Sequence, residues 1–256
     1  MKATNFIKIH VMAWAMVLVT AAALTPVASL AAGPETYILN TSTGAPYATQ
    51  DRQGFLDFVV AEAFKRIGLK GEVAQYSASK RALLNANSDV DQGVALRIKN
   101  LEKTYPNLIR VPERVIENDF VAYSRNLNFA TSGWASLLPY AVTYIHGWVV
   151  FERNLAKAQA VTTVSEPEQM FTMLEKKRVD LALYERWQGL QWASDLGQNV
   201  RVHEPPLASV DMFMYVHKNH AHLVTPLNEA LKAMKRDGTY QAIFDKVLAP
   251  LAATPR

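Results

Sequence analysis

The sequence predicts an α/β protein in which short strands alternate with helices around a mostly parallel sheet. Short runs rich in β-branched and aromatic residues, such as Tyr37–Asn40 and Val161–Val164, alternate along the chain with segments of helical periodicity. The alternation stops at a polar, aperiodic stretch from Ser124 to Gly133 and then starts again. The chain is therefore expected to contain two α/β halves joined near this stretch.

The predicted elements of the first half begin with a strong amphipathic helix. Apolar residues recur at helical spacing from Phe55 to Ile67, and Gly68 ends the pattern. Ser79 can cap a second helix that runs to about Ala86. The predicted strands of this half are Tyr37–Asn40, Glu72–Gln75, Gly93–Leu96, Leu108–Val111 and Phe120–Tyr123.

The second half repeats the alternation. Its helices are expected from about Val149, over Glu166–Lys176 with Pro167 near the first helical position, and over Arg186–Leu196. The predicted strands are Ala141–Ile145, Val161–Val164, Val179–Tyr184, Val200–His203 (ended by Pro205-Pro206) and Met212–Val216. The chain is expected to close with helices from about His222 to Lys235 and from Thr239 to Leu248.

The first 31 residues are expected to be an export signal. Lys2 and Lys8 form a short positive region, and Val11–Leu24 is an uncharged apolar run, shorter than the roughly 20 residues that span a bilayer. Small residues at 29 and 31 predict cleavage near Ala31, with an uncleaved anchor or a buried helix as the alternative. No Cys follows the run, which excludes a lipid anchor, so a soluble periplasmic protein is expected.

Composition excludes several classes of function. The chain has no Cys, so disulfides, thiol nucleophiles and Cys metal sites are excluded. Without Lys2 and Lys8 the formal charge of +4 falls to +2, and no basic block is present, so nucleic acid is not an expected partner. The sequence contains no Gly-rich phosphate loop, no serine nucleophile elbow and no zinc-protease helix, and we expect no cofactor.

Glu185 is the leading candidate for a binding residue. It follows the apolar strand Val179–Tyr184 directly and precedes a helix, and ligands of open α/β sheets bind beyond the carboxyl ends of strands. A carboxylate there could pair with a cationic group of a ligand. The alternative is an acid that only stabilises the start of the helix, and position alone favours neither.

Four further residues are candidates for the same site. Arg97 follows strand Gly93–Leu96 and could hold an anion, although a surface arginine is the simpler interpretation. Tyr47 lies in the loop after the first strand, and Trp148 and Trp187 follow Gly147 and Glu185. All three aromatic residues could form walls around a ligand, while core packing is the alternative for Trp148.

A histidine cluster offers a third kind of site. His217, His220 and His222 lie within six residues, but their spacing is not that of a zinc motif. A solvated loop at the start of a helix is the favoured interpretation, and a metal carrier is a minor alternative.

Several short motifs occur in a shared order over nearly all of the chain after the signal. They are Gly54-Phe55, Ile67-Gly68-Leu69, the strand after Asp91, the Gly147 turn, the run 178–182 (Arg-Val-Asp-Leu-Ala) and the run 235–240 (Lys-Arg-Asp-Gly-Thr-Tyr). With these motifs the chain from Tyr37 to Leu248 resembles the family 3 solute-binding proteins, the periplasmic components of polar amino-acid uptake systems.

The resemblance implies a monomer of two lobes with type II topology and a ligand cleft between them. Lobe 1 would comprise residues 32–123 and 210–256, and lobe 2 residues 124–209, with crossings near Ser124 and Ser209. In amino-acid binders, an acid at the position of Glu185 holds the α-amino group. The chain departs from the family where a Ser-x-Thr-x-x-Arg stretch is expected, because Ile98–Lys103 lacks the hydroxyls and the Arg; Arg97 or Lys103 could substitute.

These observations predict a binding protein, not an enzyme, that closes on a small polar solute, amino-acid-like or amine-bearing, for an ABC permease or a membrane sensor. The main alternative is an exported dehydratase-like enzyme on the same scaffold, with Glu185 as its general acid.

Overall fold

One mixed sheet runs through both halves of the protein. A computed structural model describes residues 36–155 and 160–253, which belong to one compact unit. The strands are β1 (Thr36–Thr41), β2 (Lys70–Gln75), β3 (Gly93–Ile98), β4 (Leu108–Ser124), β5 (Ala141–Ile145), β6 (Ala160–Val164), β7 (Leu181–Glu185) and β8 (Arg201–His217). The helices are α1 (Phe55–Arg66), α2 (Ser79–Asn87), α3 (Val149–Asn154), α4 (Pro167–Glu175), α5 (Arg186–Asp195), α6 (Val224–Arg236), α7 (Thr239–Val247) and α8 (Ala249–Ala253). The expected signal, residues 1–31, lies outside the described residues, and no helix within them is long and apolar enough to cross a membrane.

The strand order is β2-β1-β3-β8-β4-β7-β5-β6. In the first half β1 pairs in parallel with β2 and β3, and in the second half β5 pairs in parallel with β6 and β7. The long strands β4 and β8 run antiparallel to each other between these two groups. The predicted α/β class is confirmed, with one sheet through both halves.

Strands β4 and β8 are each longer than the sequence pattern predicted. Leu108–Val111 and Phe120–Tyr123 were expected as separate strands, but both belong to β4, and the two predicted strands within 200–216 both belong to β8. The prediction was wrong because proline was taken to end a strand. The pairing of the two strands shifts register where Pro112 and Pro205-Pro206 lie, and irregular positions of this kind tolerate a residue without an N–H.

Each half contributes its own hydrophobic core. Beside the strands of the first half, α1 and the C-terminal helix α6 pack on the sheet through residues such as Val60, Leu227 and Leu96. In the second half, α4 and α5 bury Phe171 and Leu190 against strands β4 and β7. Burial of each such side chain contributes about 1.5–3 kcal/mol, which holds the strand ends of both halves in place. The lobe boundaries at residues 124 and 209 stay a prediction.

Candidate ligand-binding cleft

A cleft of about 1230 Å³ lies where the carboxyl ends of strands from both halves meet. From the first half it is lined by residues at or after the ends of β1 and β2, namely Ser42, Thr43, Gly44, Ala45, Gln75, Tyr76, Ser77 and Ser79. From the second half it is lined by residues at or after the ends of β5, β6 and β7, among them Gly147, Trp148, Ser165, Glu166, Tyr184 and Glu185. This is the edge at which α/β sheets bind ligands, and the volume is large enough for a small molecule.

Glu185 ends β7 and is also the N-cap of α5. Its Oε2 accepts a hydrogen bond of 2.9 Å from the backbone N–H of Gln188, which satisfies an amide of the first helical turn. Burial, as the largest cause, raises the pKa of the Glu185 carboxyl to about 7, although hydrogen bonds from two backbone amides and from Tyr47 act in the opposite direction. The carboxyl is only 1% exposed, yet it belongs to the cleft wall. Glu185 therefore both caps the start of α5 and lies in the cleft wall, the two alternatives that the sequence left open.

Tyr47 reaches Glu185 from the first half. Its hydroxyl donates to Glu185 Oε1 at 2.9 Å, and its backbone carbonyl accepts from the N–H of Leu56 at 2.7 Å, at the start of α1. A Cβ at Gly54 would lie 2.4 Å from the Tyr47 carbonyl oxygen, so the close packing of this loop requires glycine. Burial and the neighbouring carboxyl raise the pKa of Tyr47 well above its usual value. Tyr47 is fully buried and is a partner of Glu185 rather than a cleft wall.

Asn118 of β4 completes this network. Its Oδ1 lies 3.1 Å from the Tyr47 hydroxyl, which has one proton for two acceptors. When Glu185 is ionised, Tyr47 donates to the carboxylate. When Glu185 is protonated, its O–H can donate to Tyr47, whose proton is then free for Asn118. The protonated form thus satisfies all three groups, which agrees with the raised pKa of Glu185.

Arg186 fixes the start of α5 to both long strands. Its guanidinium donates from Nη1 and Nη2 to the two carboxylate oxygens of Glu204 on β8, at 2.5 and 3.0 Å. Its Nε donates to Asp119 of β4 at 3.1 Å, and Ser209 of β8 donates to the same carboxylate at 2.6 Å. This arrangement holds Glu185, the preceding residue, against the middle of the β4–β8 pair.

Arg97 lies at the end of β3, behind the cleft wall. Its Nη2 donates to Ser42 Oγ at 2.9 Å and to Ser79 Oγ at 3.2 Å, and both serines line the cleft. Its Nε is buried without a partner, and within residues 36–155 and 160–253 no carboxylate forms an ion pair with it. Burial lowers the pKa of the guanidinium to about 10, so the side chain is still charged at neutral pH.

The two tryptophans occupy different surroundings. Trp148 lines the cleft and contacts Tyr184, with ring centroids 4.7 Å apart, and it also packs on Phe151. Trp187 is absent from the cleft lining and instead meets Phe244 of α7 edge-on, with centroids 5.3 Å apart. The structure therefore places Trp187 in the packing between α5 and α7.

The histidine cluster is held by Asp89. His220 Nε2 lies 2.9 Å from Asp89 Oδ1, and Asn219 donates to Asp89 Oδ2 at 2.8 Å. His217 is buried, and its Nδ1 accepts from the backbone N–H of Asn219. In the part of the chain that the structure describes, no group of three or more His, Asp or Glu side chains can hold a metal ion. The cluster connects the loop after α2 to the start of the last helices.

Sequence reasoning missed several residues of the cleft. Ser42 and Ser79 follow the ends of β1 and β2, a signal that could have found them, because β1 and β2 are parallel and their ends meet. Phe120, Tyr184 and Trp192 also line the cleft. Phe120 and Tyr184 were assigned to strands, and Trp192 to a helix; their shared surface depends on three-dimensional packing.

No family model matches the sequence of the chain. An uncharacterized protein of Shewanella oneidensis is 31% identical over 146 residues, which cover 53% of this chain and 54% of that protein. The chain spans about half the length of this curated relative.

Solved structures match nearly all of the described chain. The L-cystine solute receptor of Neisseria gonorrhoeae, in its unliganded open conformation, has a TM-score of 0.66 at 17% identity over 84% of this chain and 92% of the receptor. The GluR0 ligand-binding core of Nostoc punctiforme, in complex with L-glutamate, has a TM-score of 0.63 at 18% identity over 84% of this chain and 99% of the core. A histidine kinase sensor domain similar to periplasmic binding proteins has a TM-score of 0.66 at 16% identity, with 84% and 96% of the two chains covered. The chain therefore has the fold of the periplasmic solute-binding proteins, as its sequence motifs predicted.

Proposed function

We propose that this chain is an exported solute-binding protein that captures a small polar solute in the cleft. One observation supports the proposal above all. The carboxyl ends of parallel strands from both halves face one cavity of about 1230 Å³. A solute in this position touches both halves at once, so its binding can bias their relative position.

The roles of the candidate residues follow from their positions. Trp148 is the aromatic wall, and Arg97 supplies positive charge through Ser42 and Ser79. Glu185 accepts bonds from Tyr47 at one oxygen and from the α5 backbone at the other, so a cationic group would have to share its oxygens with these partners. Trp187 is not included, since it packs on Phe244 outside the cleft.

The partner of the loaded protein would be an ABC permease or a membrane sensor. This proposal is supported by the solved structures of similar fold, which include a solute receptor and a histidine kinase sensor domain. We propose a periplasmic location, with removal of the signal near Ala31, and a monomer in solution. Nucleic acid is not a proposed partner.

A thermal-shift screen of the purified protein tests the proposal. The compounds are amino acids, polyamines, organic acids, short peptides and divalent metals, each in excess. A solute at 100 times its dissociation constant adds about 2.7 kcal/mol to the free energy of unfolding, which a thermal shift detects. A hit that is lost in Trp148→Ala supports the proposal, and a hit that this variant keeps places the solute elsewhere. A flat screen would contradict the proposal.

A dehydratase-like enzyme is the second candidate, favoured by one observation. The buried Glu185 carboxyl has a pKa near 7, as a general acid at neutral pH requires. Glu185 is only 1% exposed, however, and its two oxygens already accept bonds from Tyr47 and Gln188, so a substrate would have to compete with these partners. Turnover of prephenate by the purified protein, lost in Glu185→Gln, would favour the enzyme over the binding protein.

A further inference from the structure

We infer that the cleft is built for an organic anion with a flat aromatic body, and not for a zwitterionic amino acid. This inference rests on the proposed solute-binding function. It assigns the anionic group of the solute to the hydroxyls of Ser42 and Ser79 backed by Arg97, and the ring of the solute to the wall that contains Trp148 and Tyr184.

Arg97 is a half-buried cation. A cation that is partly removed from water is costly without a counter-ion, and proteins normally pair it. Arg97 is paired with neutral partners only, namely two serine hydroxyls and the carbonyl of Leu96 at 3.0 Å. Its positive charge is therefore not neutralised within the part of the chain that the structure describes, and a bound anion would supply the missing charge.

The two serine hydroxyls that contact Arg97 each have a proton left to donate. Ser42 and Ser79 each accept a hydrogen bond from Arg97, so each can direct its own O–H toward another acceptor. Both side chains line the cleft. A carboxylate at this wall would accept two hydroxyl protons whose donors are polarised by the guanidinium, and charge-assisted bonds of this kind are stronger than neutral ones.

The local fold reinforces this sign of charge. Ser79 is the first residue of α2, whose first turn contains no acidic residue and whose N-cap, Ala78, makes no side-chain cap. The positive end of the helix dipole therefore lies beside the same serine. Arg97 lies at the end of β3, Ser42 directly follows β1, and Ser79 begins the helix that follows β2, so the subsite lies at the carboxyl edge of these three neighbouring strands.

The opposite wall of the cleft is aromatic. Four aromatic side chains of β4 and the second half line the cleft: Phe120, Trp148, Tyr184 and Trp192. Trp148 meets Tyr184 at 4.7 Å and Phe120 edge-on at 5.8 Å, which fixes its ring. A rigid aromatic surface of this kind favours a flat apolar group, and it is larger than the side chain of a small polar amino acid requires.

An amino acid also carries an ammonium group. Glu185, its expected acceptor, is only 1% exposed, already accepts a bond at each oxygen and has a pKa near 7, so it is only partly ionised at neutral pH. Glu166 and Asp195 also line the cleft, but both are exposed, so water screens their charges. Among the described residues, the cleft wall therefore offers a site for the anion and no comparable site for the ammonium group.

Calorimetric titration with four matched probes tests the inference. Indole-3-acetate carries the ring and the anion, tryptamine the ring and a cation, tryptophan both charges, and acetate the anion alone. We expect indole-3-acetate to bind at least about tenfold more tightly than each of the other three probes. Tighter binding of tryptamine or tryptophan, or no binding of indole-3-acetate, would overturn the inference.

Substitutions assign the binding to the subsite. Arg97→Gln, and separately the double variant Ser42→Ala with Ser79→Ala, should each weaken indole-3-acetate at least about tenfold. Arg110→Gln is the control, because Arg110 lies outside the cleft, over the ring of Phe213 at 4.7 Å. This variant should bind indole-3-acetate with the affinity of the wild type. Unchanged affinity in Arg97→Gln would also overturn the inference.

Two further readouts separate this inference from a structural role and from the proposed function. Without ligand, Arg97→Gln should unfold cooperatively at or above the wild-type temperature, since the variant loses a half-buried charge that has no counter-ion among the described residues. A marked fall would indicate a structural arginine. If a compound without an aromatic anion is the strongest hit of the broad screen, the solute-binding function stands and this inference fails. If the broad screen is also flat, both fail.

Discussion

Tyr47 and Glu185 are 138 residues apart in the chain, yet the Tyr47 hydroxyl donates a hydrogen bond of 2.9 Å to the Glu185 carboxyl. The bond joins the loop after β1 to the end of β7, and so connects the two halves of the protein behind the cleft. Movement of the halves apart would break this bond and expose a buried carboxyl. The unliganded protein is therefore expected to resist opening at this point.

Tyr47→Phe should lower the free energy of unfolding by about 1–3 kcal/mol, because it leaves a buried carboxyl without its hydroxyl donor. Denaturation with urea measures the change. The control is Tyr140→Phe, which alters a half-buried tyrosine that stacks on Phe129, and which should stay within about 0.5 kcal/mol of wild type. Equal effects of the two substitutions would contradict the proposed importance of the bond.

Glu185→Gln should change how stability depends on pH. The pKa of Glu185 is raised from 4.5 to about 7 in the folded protein, so the folded state holds the proton more tightly than the unfolded chain does. The resulting stability is fully present below about pH 4.5 and is lost as pH rises through 7. The free energy of unfolding of the wild type, minus that of Glu185→Gln, should therefore fall by roughly 3 kcal/mol between these two pH values. A difference that is flat over this range would show that Glu185 titrates normally.

Arg186→Lys should destabilise the protein by about 1–2 kcal/mol, because an ammonium cannot reproduce the paired bonds to Glu204 together with the bond to Asp119. Arg114→Lys provides the control. Arg114 also links β4 to β8, through Asp211, but this pair is exposed and should contribute less than about 1 kcal/mol. Urea denaturation of both variants compares the two links, and a larger loss for Arg114→Lys would contradict the account.

Gly189→Ala should destabilise the protein, although alanine is normally the better helix former by about 1 kcal/mol. Gly189 lies within α5, and a Cβ there would come within 2.4 Å of the Tyr123 ring. Tyr123 is fully buried and donates to the carbonyls of Glu185 and Arg186, so its ring has little room to move. Thermal unfolding measures the sign, and a rise in melting temperature would show that the ring can shift.

Much of the fold could be predicted from the sequence because the signals are local. Helical periodicity located α1 from Phe55, and the strand Ala141–Ile145 was predicted with the bounds that the structure shows. The position of Glu185 at the end of a strand was also a local signal. The long strands β4 and β8 were not predicted, since prolines inside them imitate strand ends and only the paired strand shows the register shift.

The candidate site was predicted less completely, because its contacts join distant parts of the chain. No pattern around Tyr47 indicates that its hydroxyl meets Glu185, and none around Trp187 indicates that its ring meets Phe244. Arg97 was placed at the correct strand end, but its serine partners lie 55 and 18 residues away in the chain. Spacing alone cannot reveal that a charged side chain lacks a counter-ion.

A solute bound in the cleft is expected to touch both halves of the protein at once. Hydrogen–deuterium exchange, measured with and without the strongest compound of the screen, detects this contact. We expect backbone amides at 42–45 and 76–79 in the first half, and at 147–150 and 185–188 in the second, to exchange more slowly together when the compound is present. Protection confined to one half, or to segments outside the cleft, would contradict this expectation.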